Sequence, residues 1–114
     1  MKFNFEKETR IILDIMVYCH KLGAVDYHTY LKTENGLSNM RVSATIPNVP
    51  QSALQELEQA LNIPRQKEIE QEFWGLSGED ETGAELTLVG MMVDSAEVTY
   101  KDGVLTLEMT RIEG

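Results

Sequence analysis

The chain has 114 residues, 42% of them hydrophobic, and a formal net charge of −9 from 10 Lys and Arg against 19 Asp and Glu. Such a length and apolar content suit one domain, residues 1–114, that buries a core without disulfide or metal staples. The acidity excludes the usual nucleic-acid binder, which clusters Lys and Arg against phosphates.

Cys19 stands alone, so no disulfide framework is expected. The first residues lack the apolar segment of a signal peptide, and no run reaches membrane-spanning length. A cytoplasmic protein with no membrane association is the expectation.

In chain order, Asn4 is the candidate cap of a first helix with Glu6 and Glu8 near its positive end. Ile12, Ile15, Met16, Cys19 and Leu22 recur at spacings of three and four, and Gly23 supplies a stop. Asp14 lies in line with Lys7, Arg10 and Lys21, which reads as a solvated face with weak ion pairs. His20 and His28, without Cys or carboxylates at ligand spacing, suggest no metal site. From Val25 the period becomes two, with Tyr27, Thr29 and Leu31 on one face and His28, Tyr30 and Lys32 on the other. Asn35-Gly36 predicts a hairpin tip, because both central residues of the favoured turn need positive φ. Met40, Val42, Ala44 and Ile46 then form the apolar face of a second strand.

Pro47 and Pro50 break that strand, and Pro50 opens a second helix carrying Leu54, Leu57 and Leu61. A third helix over about 65–74 shows Ile69 and Phe73 one turn apart, which makes Phe73 the expected core anchor. The stretch 75–83, with three glycines and Glu79-Asp80-Glu81, reads as a surface loop. A mostly apolar helix follows, with Met91 and Met92 as core filling, then a hairpin turning at Lys101-Asp102-Gly103. The expected fold is α+β: a two-layer sandwich whose mostly antiparallel four-stranded sheet, built from two hairpins, is covered on one face by three to four helices.

Four stretches, taken from the C-terminal one backwards, carry a resemblance. Gly83-Ala84-Glu85-Leu86-Thr87-Leu88-Val89-Gly90 is similar to a second glycine box, and Ile69-Glu70-Gln71-Glu72-Phe73-Trp74 to an aromatic box before an ATP lid. Ala44-Thr45-Ile46-Pro47-Asn48-Val49-Pro50 resembles a first glycine box, and the helix through Asp14 and Tyr18 an asparagine box. Together they resemble the ATP-binding domain of histidine-kinase-like ATPases (the GHKL superfamily), sensor histidine kinases above all. The strand and helix that precede the family's first motif have no counterpart here.

The resemblance implies a nucleotide pocket at Asp14, Tyr18, Ala44, Asn48, Gly83 and Glu85, with ATP and magnesium as its cofactors. Asp14 offers a carboxylate, but Tyr18 takes the place of the magnesium-binding asparagine and Ala44 that of the adenine-reading aspartate. Alanine forfeits a charged hydrogen bond, tyrosine is a poor magnesium ligand, and Glu85 sets bulk and negative charge where phosphate must approach backbone N–H groups. The expectation is a degenerate domain without cofactor or catalytic residues that works by binding another protein, for example in bacterial signalling. The alternative is a small-molecule or nucleotide-binding module using the altered cleft.

Overall fold

Both hairpins turn on residue pairs with positive φ: Asn35 and Gly36 at 54° and 76°, Asp102 and Gly103 at 54° and 78°. Two such residues in succession give a turn whose twist matches that of the flanking strands. In the computed structural model, which describes residues 3–74 and 84–113 and leaves out the side chains of Phe73, Ala84 and Glu85, these turns organise one sheet. The order is α1 (Asn4–Lys21), β1 (Asp26–Glu34), β2 (Leu37–Thr45), α2 (Gln51–Leu61), α3 (Lys67–Phe73), α4 (Ala84–Met92), β3 (Ser95–Lys101) and β4 (Val104–Ile112).

All neighbouring strands are antiparallel in the order β1-β2-β4-β3, so each hairpin contributes one central and one edge strand. β2 and β4 pair from Leu37↔Ile112 to Thr45↔Val104. Their inward residues, Met40, Val42 and Ala44 against Leu105, Leu107 and Met109, are buried, as is Ile46 just beyond β2. The opposite face carries Asn39, Arg41, Ser43, Thr106, Glu108 and Thr110, a polar surface. The fold is therefore the expected α+β two-layer arrangement, an open four-stranded sheet with helices.

α1 packs over β2 and α2 over β3, with α4 meeting α1, α2 and α3. The middle position explains why α4 is apolar on most sides, with Leu86, Val89 and Met92 buried. Gly90 permits its close approach to α2: a Cβ there would stand 2.0 Å from the carbonyl oxygen of Ala60.

Several predicted details differ. Asn4 does not cap α1; Phe3 occupies that position at φ 69° with no side-chain cap. The Asn4 side chain turns inward instead, where Oδ1 accepts from Arg111 Nη2 at 3.2 Å, a charged donor that outcompetes a helix N–H. The buried line of α1 is rotated from the predicted one: Ile11, Ile15 and Cys19 are fully buried, whereas Ile12, Met16 and Leu22 are only partly so. That rotation carries Lys7 and Asp14 out of the predicted solvated face, to 1% and 5% exposure, leaving Lys21 outside. Met92 is buried and Met91 half-buried. On α3, Ile69 is half-buried and Glu70 is the buried residue; the predicted anchor Phe73 has its side chain outside the described residues.

Candidate functional site

The pocket positions fall on three elements. Asp14 and Tyr18 stand one turn apart on α1; Asp14 is buried, 3.5 Å from Arg10 Nε across a helical turn, and Tyr18 is half-buried against the core. Ala44 points from β2 into the apolar core at 1% exposure. Asn48 is exposed in the connection from β2 to α2. Gly83 lies outside the described residues, and Glu85 belongs to α4 with its side chain likewise undescribed. Packing of α1 over β2 sets the elements that carry Asp14, Tyr18 and Ala44 against each other across the interface of the helix and sheet layers.

A second cluster, absent from the sequence expectations, joins α1, α3 and the end of β4. Alternation along β4 turns Leu105, Leu107 and Met109 inward, and Arg111 is the next inward residue, fully buried. Its guanidinium grips Glu70 with both arms, Nη1 donating to Oε1 at 2.8 Å and Nη2 to Oε2 at 2.6 Å. Arg111 Nη1 also donates to the Met92 carbonyl at 2.7 Å, closing the end of α4. Lys7 Nζ reaches Glu70 Oε2 and Gln71 Oε1, each at 2.9 Å. From the α2–α3 connection, Arg65 Nε donates to Glu70 Oε1 at 3.1 Å, while its Nη1 donates to Asp94 Oδ2 at 2.9 Å and the Ile112 carbonyl at 2.6 Å. Glu8 completes the group, with Oε2 3.8 Å from Arg111 Nε.

Three cationic side chains thus face three carboxylates, Glu70, Glu8 and Asp94. Burial alone would raise the Glu70 carboxyl, but hydrogen bonds from Arg111, Lys7 and Arg65 outweigh it and hold the group down at about 2. A carboxyl so far below neutrality is unsuited to proton transfer at physiological pH, so Glu70 fastens the elements that reach it rather than exchanging protons. Burial pushes the Cys19 thiol up to about 11, which makes it a poor nucleophile.

One signal for this cluster was present in the sequence: Lys7 and Glu8 stand four and three residues before Ile11, on its helical face. Among the described residues no three His, Cys, Asp or Glu side chains are grouped to hold a metal ion, and no helix is long and apolar enough to cross a membrane. Compared with known proteins, the chain matches no family model and no curated sequence.

Proposed function

We propose that this protein is a non-catalytic, degenerate histidine-kinase-like ATPase domain that acts by binding another protein in bacterial signalling. The observation that carries this reading is Ala44. At the place where the resembled family reads adenine with a carboxylate, this chain has a methyl group 1% exposed among core side chains. A carboxylate introduced there would be buried in an apolar layer, at a cost of several kcal/mol unless a partner paired with it. Asp14, the carboxylate of the asparagine-box-like helix, sits beside Arg10. Further support comes from the succession of helix, hairpin, two helices, helix and hairpin, in the order the four motif-like stretches require.

Thermal unfolding with and without magnesium ATP tests the proposal. Ligand linkage adds RT ln(1 + [L]/Kd), which is only about 0.4 kcal/mol when ligand merely equals Kd. At millimolar magnesium ATP the midpoint is expected to stay within error of the free protein. A clear upward shift, with calorimetric binding in the micromolar range, would overturn the degenerate reading and restore a nucleotide-binding module.

A further inference from the structure

β1 is an edge of the sheet, paired on one side only, with β2. The N–H of Ile46 donates to the Gly103 carbonyl at 2.8 Å. Even-numbered residues of β2 therefore direct their backbone groups toward β4 and odd-numbered ones toward β1. In the register Asp26↔Thr45 through Glu34↔Leu37, even-numbered residues of β1 then face β2. The N–H and C=O groups of Tyr27, Thr29, Leu31 and Thr33 consequently point out of the sheet.

Sheet edges are ordinarily blunted by proline, a bulge, shortness or charged side chains, and of these β1 has only the charges, at Asp26, Lys32 and Glu34. β1 runs nine residues with no proline, no glycine and no break in register, and none of its residues is buried. Its sequence also discriminates between possible partner strands. We propose that β1 pairs antiparallel with β1 of a second copy, about a two-fold axis at Thr29, joining the two sheets edge to edge.

In that register Thr29 meets its own counterpart, and every other pair occurs twice by symmetry. On the outer face Asp26 stands opposite Lys32 and His28 opposite Tyr30; on the inner face Tyr27 stands opposite Leu31. Val25, 73% exposed, comes to lie opposite Thr33. Cross-strand pairs of opposite charge and of aromatic with aliphatic side chains stabilise a sheet, while like charges directly opposite oppose it. Moving the axis by one residue to Tyr30 sets Asp26 against Glu34 twice across the axis, so the charges disfavour that neighbouring register. The intrastrand pairs His28–Asp26 and Lys32–Glu34, each at 3.4 Å, are exposed and weak enough to rearrange.

Sedimentation of the full chain from micromolar to millimolar concentration tests the idea, with a reversible monomer–dimer equilibrium expected. Lys32→Asp should weaken association about tenfold or more by placing two Asp26–Asp contacts across the axis, and adding Asp26→Lys should restore it. Oxidation of Thr29→Cys in a Cys19→Ser background should yield a disulfide-linked dimer, since Cα atoms of hydrogen-bonded antiparallel partners lie about 5.5 Å apart, within disulfide reach. Leu31→Cys should cross-link far less; if it cross-links better, the Thr29 axis is wrong. A chain that stays monomeric at millimolar concentration overturns the proposal, as does a dimer indifferent to the charge exchange. A monomer whose β1 instead binds an unrelated extended peptide would also overturn it. Because these readouts involve no nucleotide, their failure is separable from that of the function proposed above.

Discussion

Glu70 is ionised inside the protein because three cations reach it, and the consequence for stability has a definite sign. Its folded value of about 2 lies below the ordinary 4.5, so the unfolded chain takes up the proton first as pH falls. The stabilisation is complete above about pH 4.5 and is lost as the pH falls toward 2, amounting to roughly 3 kcal/mol by linkage. Glu70→Gln should flatten that acid limb of the stability curve in urea titrations. It should also destabilise the protein at neutral pH by about 3 to 5 kcal/mol, because Lys7 would remain buried without its counter-charge and Arg111 would keep only the more distant Glu8. Of this, only the place of Lys7 and Glu8 on the helical face of Ile11 was readable beforehand. Lys7, Glu8 and Glu70 are residue types that are almost always solvated, and only the partner brought from β4 makes their burial tolerable. Ala44, by contrast, was readable as core from the strict alternation of β2, as was Ile46, although Asn48 beyond the strand was placed by no periodicity.

The elements divide by whether local chemistry or packing decides them. Asn35-Gly36 and Asp102-Gly103 required positive φ, and the structure has it at all four residues. Gly36→Val should therefore be clearly destabilising: no neighbouring atom lies within 4 Å of its added Cβ, so the cost is backbone strain, about 1 to 2 kcal/mol. A thermal midpoint unchanged within error would contradict a strained turn there. Gly90 presents the opposite case, with no positive φ but a carbonyl in the way. Gly90→Ala has to push α2 and α4 apart, at about 1 to 3 kcal/mol or more, despite alanine's better helix propensity. A stabilised variant would mean that the two helices yield easily. The phase of α1 misled the sequence reading because Ile11, Ile12, Ile15 and Met16 are apolar on adjacent flanks; only contact with β2 and α4 selects Ile11 and Ile15 for the core.

At the scale of the whole molecule, the charge cluster draws on residues far apart in the chain: Asn4 and Arg111 are 107 positions apart, Lys7 and Glu70 63, and Glu70 and Arg111 41. During vectorial synthesis Lys7 and Glu70 emerge well before Arg111, so the carboxylate acquires its two-armed partner only after β4 has followed β3. Loop closure over such separations is entropically unfavourable until the sheet has brought the strands together, which places the cluster late on the folding route. Substitutions in it should accordingly leave the refolding rate nearly unchanged and accelerate unfolding: for Glu70→Gln, a φ-value near zero in stopped-flow chevron measurements. A refolding rate that drops in proportion to the lost stability would instead place the cluster in the nucleus. If the unfolding limb alone moves, Arg111 acts as a clasp fastened at the end of assembly. It then governs how long the finished domain resists opening rather than how quickly it forms.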